Sequence, residues 1–217
     1  MQFTGWAGTF YRISDWVFKL AYVNILWMCF TLIGLVLFGF FPATTAMFAL
    51  IRKWLMGEED LPVFKTFWSY YKKEFKKSNK LGFVVVIIGL ILYVDLQIIP
   101  TGSLPFVILK WLLMALLVVF LIMLIYMFPI YVHFDFPFAQ YIKYPILMSI
   151  VAPLQTVLLL ISSYLVYLIM MTVPGLIPFF GGSALCFVWT WIILNYLHRV
   201  QQKQFEKEEE KEMKAKD

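Results

Sequence analysis

Between Tyr144 and Leu197 the chain has no Lys, Arg, Asp or Glu. Over the full 217 residues only 14% are charged, against about a quarter in ordinary soluble domains. A water-soluble globular fold is excluded. Cysteine is nearly absent as well, with only Cys29 and Cys186. Both lie in apolar segments and form no CxxC pair, so neither a disulfide framework nor a cysteine zinc site is supported. They are expected to be buried packing thiols. Histidine is equally sparse, and His133 with Asp135 supplies too few ligands for a metal. No Ser or Cys has a recognisable base beside it, so nucleophilic catalysis has no candidate residues. The expectation is a protein that is not an enzyme and needs no cofactor.

What is present is hydrocarbon: 62% hydrophobic residues and a mean hydropathy of +0.82. The fold class is all-α, a polytopic membrane helix bundle. Each crossing of a bilayer core takes about 20 apolar residues. The apolar segments fall at about 17–38, 42–54, 81–99, 111–133, 146–172 and 179–197. That makes five firm spans plus one short or re-entrant segment, in a single membrane domain over 1–200 followed by a charged tail at 201–217. Pro174-Gly175 and Gly181-Gly182 break the uncharged stretch into its two helices.

The first apolar run is the awkward one. Leu20 to Ile51 is uncharged, far longer than the about 7–15 apolar residues of a signal peptide, so the N-terminus is expected to be retained. It is too long for one span and too short for two full ones. Gly34, Gly39 and Pro42 mark the break, and Pro42 is placed at the start of a second helix. Segment 42–54 then either crosses the membrane as the short arm of a hairpin or lies in the interface. Arg12 and Lys19 favour the hairpin, because it puts both on the inside.

After a polar break at 57–62, Phe64, Phe67, Trp68, Tyr71 and Phe75 share one helical face and lysines occupy the rest. This predicts an amphipathic interfacial helix over 64–77. Lys72, Lys73, Lys76, Lys77 and Lys80 form the densest basic cluster. Such clusters beside a span attract anionic lipid headgroups at about 1 kcal/mol per residue, and a partner's acidic face could use them too. Nucleic acid is not the expected partner, since these charges adjoin apolar spans.

Eight Lys and Arg lie from Arg52 to Lys80 ahead of the Leu81 span, one lies in the next loop, one in the following loop and six after Leu197. By the positive-inside tendency, fifteen of these fall on the cytoplasmic side and Lys110 alone outside. The C-terminus is expected to be cytoplasmic, and the N-terminus with it.

The segments Gly39-Phe40-Phe41-Pro42-Ala43-Thr44-Thr45-Ala46, Arg52-Lys53-Trp54, Phe64-x-x-Phe67 and Tyr126-x-Phe128-Pro129 ahead of Phe134-Asp135 occur in that order. Together they resemble the YesL-like family of bacterial integral membrane proteins, over most of the chain. The sequence departs from that pattern at Tyr144-Pro145. The resemblance implies a bacterial cell-membrane location, no catalytic set, and an association with carbohydrate-uptake systems driven by ATP.

Polar groups at membrane depth are few: Asn24, Asp95, Gln97, Gln155 and Asn195. A transporter would keep some of these along an aqueous path. Asp95 is expected near the outer interface, within reach of Lys110, and the amides are expected to bond between helices. Two functions follow: an accessory protein that binds another membrane complex, such as a sugar importer, or a small solute transporter or channel working as an oligomer.

Overall fold

In the computed structural model, which describes residues 6–100 and 102–214, the chain is a bundle of helices. They are α1 (Trp6–Ile33), α2 (Leu37–Leu55), α3 (Val63–Ile98), α4 (Leu104–His133), α5 (Gln140–Val151), α6 (Pro153–Thr172), α7 (Ile177–Phe180) and α8 (Ser183–Lys214). A 3-10 turn at Pro174–Leu176 precedes α7. Among the described residues, four helical stretches, Gly8–Ile33, Val63–Ile98, Leu104–His133 and Pro153–Thr172, are long and apolar enough to cross a bilayer. A fifth span is available if Pro174–Phe180 and Ser183–Glu206, bent by 63°, count as one. The protein is a multi-pass membrane protein.

The outward surface is what hydrocarbon requires. Ile87, Leu90 and Val94 of α3, Leu112, Leu116 and Val118 of α4, and Leu154, Ile161 and Leu165 of α6 are all exposed. Inside, the centre is α2, which packs on α1, α3, α4 and α8. Ala43, Ala46, Leu50 and Ile51 have no accessible surface at all. The small residues of the Pro42-Ala43-Thr44-Thr45-Ala46 run let the neighbouring helices approach closely, as small residues do within membranes.

Several boundaries differ from the sequence expectation, each for a local reason. The break in the first apolar run falls at Gly34–Val36, and Pro42 lies inside α2. The turn closes because Gly34 and Gly39 back onto each other, where a Cβ on either would collide with backbone. Val36 sits at φ 62 and ψ −63, with the Leu37 N–H bonded to the Leu35 carbonyl at 2.7 Å. That is a γ-turn centred on a β-branched residue, a strained conformation. Segments 64–77 and 81–99 are parts of one continuous α3 of 36 residues. At about 1.5 Å per residue it reaches roughly 54 Å, well beyond a hydrocarbon core of about 30 Å. Segment 146–172 is divided at Ala152-Pro153 into α5 and α6, and Pro145 lies buried within α5. Of the expected span at 179–197, Phe179 and Phe180 belong to α7, and the rest from Ser183 joins most of the tail in the single helix α8. Cys186 is buried, but Cys29 is exposed on α1, so only one of the two thiols packs inside.

Candidate functional site

The helical register of α3 sorts the lysine cluster into two rows. Lys72, Lys76 and Lys80 repeat every four residues along one exposed face. Lys72 lies over the Trp68 ring at 4.9 Å and Lys80 over the Phe138 ring at 4.8 Å. Lys73 and Lys77, one residue further round each turn, line a polar cavity of about 460 Å³. Its walls come from α2, α3, α4, α5 and the α4–α5 loop.

Lys77 is the hub of this cavity. Its Nζ donates to Asp135 Oδ1 at 3.0 Å and to the Tyr141 hydroxyl at 3.2 Å. It also faces the Tyr131 and Tyr141 rings at 5.5 and 5.0 Å. The lysine hydrogen bond and charge hold the Asp135 carboxyl below the usual carboxylate range. Tyr141, 1% exposed, fixes the loop from within: it donates to the Phe134 carbonyl at 3.0 Å and accepts from the Phe136 N–H at 2.9 Å. One buried phenol thus ties α5, the loop and α3 together.

One turn back along α3, the Tyr131 hydroxyl donates to Glu74 Oε2 at 2.7 Å, a short charge-assisted bond. Arg52 Nε donates to His133 Nδ1 at 3.1 Å. That bond makes Nδ1 the acceptor and puts the proton of a neutral ring on Nε2. Thr45, 2% exposed, borders the same cavity, and its hydroxyl has no hydrogen-bond partner among the described residues. Lysines 73 and 77 are balanced by Glu74 and Asp135, so the cavity pairs both signs of charge. It offers donors, acceptors and ring faces.

The polar residues expected at membrane depth do not assemble. Asp95 and Gln97 are exposed near the end of α3, and Asp95 is in none of the ion pairs among the described residues. The expected pairing with Lys110 is therefore absent. Gln155 on α6 and Asn195 on α8 are half-buried, and none of these four lines the polar cavity. Asn24 alone has a well-defined interhelical role. Its Nδ2 donates to the Pro178 carbonyl at 2.8 Å, and its Oδ1 accepts from the Gly182 and Ser183 N–H groups, both at 3.0 Å. It fastens the bent α7–α8 segment to α1 and satisfies two of the free N–H groups at the start of α8.

Sequence reasoning missed Glu74, Tyr131, Tyr141 and the Arg52–His133 pair as members of one site. One signal was available, since Glu74 is the only acid between Asp60 and Asp95. The tyrosines carried none, because buried phenols and lipid-facing ones look alike in an aromatic-rich chain.

A family described as a protein of unknown function, DUF624, matches residues 20–96, which hold the second half of α1, all of α2 and nearly all of α3. The chain is 37% identical over 202 residues to a protein called uncharacterized protein YteU of Bacillus subtilis (strain 168), covering 93% of this chain and 91% of that one. From the same organism, YesV is 44% identical over 173 residues, 79% and 83% of the two chains, and YesL is 47% identical over 87 residues, 40% and 42%. No solved structure matches. The sequence order of the shared segments, the helical bundle they build and these relatives agree: the chain belongs to the YesL-like, DUF624 family of membrane proteins.

Proposed function

We propose that this protein is a non-enzymatic accessory component of the bacterial cell membrane that docks onto another membrane complex through its cytoplasmic end. The observation carrying this reading is the convergence of Arg52, Lys73, Glu74, Lys77, His133 and Asp135 at one end of the bundle. Asp95, Gln97, Gln155 and Asn195 stay apart from it. Fixed groups of both signs around a shallow polar cavity suit a partner loop presenting complementary charges, which gives specificity more than raw affinity. The Lys72, Lys76 and Lys80 row faces anionic lipid headgroups and sets the height of the collar in the bilayer. The family resemblance makes a carbohydrate-importing ABC system the first partner to test. Purification in mild detergent with the importer's membrane subunits bound supports the reading, and loss of that association in Lys73→Glu with Asp135→Lys places it at the cavity.

A second reading rests on the cavity's size. About 460 Å³ falls within the range of about 300–1,000 Å³ typical of small-molecule sites, so a small polar solute could be carried. Substrate-dependent flux in proteoliposomes of the purified protein, lost in Lys77→Ala, would sink the accessory reading. Co-purification with an importer and no flux would sink the transporter.

A further inference from the structure

Further round α2 lies a second cavity, of about 830 Å³, bounded also by α1, α3, α4, α7 and α8. We propose that it is a hydrocarbon site that takes an acyl chain of a bilayer phospholipid. This goes beyond the docking reading and does not depend on it.

Its chemistry selects an occupant without polar groups. The walls are rings and thioethers, among them Phe40, Phe48, Phe128, Trp189 and Met47. The polar side-chain groups present are already engaged: Trp27 Nε1 donates to Thr44 Oγ1 at 3.0 Å, and that hydroxyl donates to the Phe40 carbonyl at 2.7 Å. A polar ligand would give up its hydrogen bonds to water and gain none. Water is disfavoured on the same ground, since apolar cavities of this kind stay dry. Left empty, the walls would forfeit dispersion contacts on one side.

The mouth opens sideways. Met28, Phe40, Val86 and Ile177 line the cavity and are also exposed on the bundle's flank. Beside them on α3 lie the exposed Phe83, Ile87 and Leu90, the surface that faces lipid tails. The bilayer is therefore both the adjoining medium and the source of the chain. The protein's own side chains do not close the space, because Gly89, Gly181 and Gly182 border it. A Cβ at Gly182 would press on Asn24, Met47 and Trp27 at 3.2 to 3.4 Å, so the glycine that leaves the gap is also required by the packing. The three methionines of the lining, Met28, Met47 and Met127, can adapt to a flexible chain.

The test uses the full-length protein, reconstituted in phosphatidylglycerol–phosphatidylethanolamine vesicles, extracted in mild detergent and examined by native mass spectrometry. The wild type is expected to keep one phospholipid after loosely held lipid is stripped. Val86→Trp and Leu124→Trp, which fill the cavity from two helices, are expected to lower that occupancy roughly tenfold. Ile87→Trp, on the outer surface, should leave it unchanged. A wild type that strips bare, or equal retention in Val86→Trp and Ile87→Trp, overturns the proposal. A second measurement needs no filled variant: with 5-fluorotryptophan, a phosphatidylcholine spin-labelled near its chain end should broaden the Trp189 resonance far more than that of the buried Trp54. Equal broadening of the two overturns it as well.

Discussion

Asn79 completes a hydrogen bond that Pro42 removes: its Nδ2 donates at 2.9 Å to the carbonyl of Phe38, the residue four before Pro42 in α2. Proline has no N–H to close that turn, and inside a membrane no water can take its place. The same amide also donates to the Phe75 carbonyl at 2.8 Å, within its own helix. A helix interrupted by proline can therefore sit at the centre of the bundle, provided α3 brings a donor to it. Asn79→Ala is expected to cost about 1–3 kcal/mol, the range for leaving a buried acceptor unmet. In Pro42→Ala the restored N–H should reduce that cost by about 1 kcal/mol, read as the coupling in a double-mutant cycle of thermal or denaturant unfolding in detergent. Additive effects would show that the two residues act independently.

The γ-turn at Val36 makes the opposite prediction. A left-handed, β-branched residue carries a conformational cost of about 1–2 kcal/mol, and Val36 is half exposed with little packing to lose. Val36→Gly should therefore raise the unfolding midpoint, a rare direction for a substitution between two helices. Val36→Ala, which keeps a Cβ, should change it much less.

Asn24 is the tie between α1 and the bent segment before α8. Asn24→Ala removes a cap and strands the Pro178 carbonyl, and about 2–3 kcal/mol of destabilisation is expected. Hydrogen exchange should quicken first at Gly182 and Ser183, whose amides Asn24 protects. Unchanged protection there would show that the start of α8 is held by something else.

The ion pair of Lys77 with Asp135 gives a pH signature. The folded carboxyl titrates below its ordinary value near 3.9. Its contribution is therefore complete above about pH 4 and is lost as pH falls through the lowered folded value. Asp135 is fully exposed, so the effect is small in stability and larger in the order of the α4–α5 loop. Thermal midpoints of the wild type and Asp135→Asn should differ near neutrality and converge below about pH 4. A constant offset across that range would contradict the pairing.

Patterning made the membrane class and most helices legible, because a helix that meets lipid on one side needs long apolar runs whatever its partners are. The position of α2 was not legible. Leu37 to Leu55 is uncharged until Arg52, like a lipid-facing span, and only packing reveals that Thr45, Leu50 and Trp54 meet protein on every side. Lys72 to Lys80 could be read as a basic cluster, but its division into an outer and an inner row depends on what α4 and α5 bring opposite Lys73 and Lys77. Asp95 lies exposed near the end of α3, where its place shortly before Pro100 put it, but the ion pair expected with Lys110 does not form among the described residues.

The proposed working surface is the polar cavity at the lysine-rich end. Its most direct test is photocrosslinking in intact cells, with benzoylphenylalanine at position 73 in one strain and at position 94 on the far part of α3 in another. A specific adduct is expected from position 73 to a subunit of a membrane importer, lost when Asp135→Lys reverses the charge at the rim, and none from position 94. Adducts from position 94 alone, or a position 73 adduct indifferent to Asp135→Lys, would contradict it.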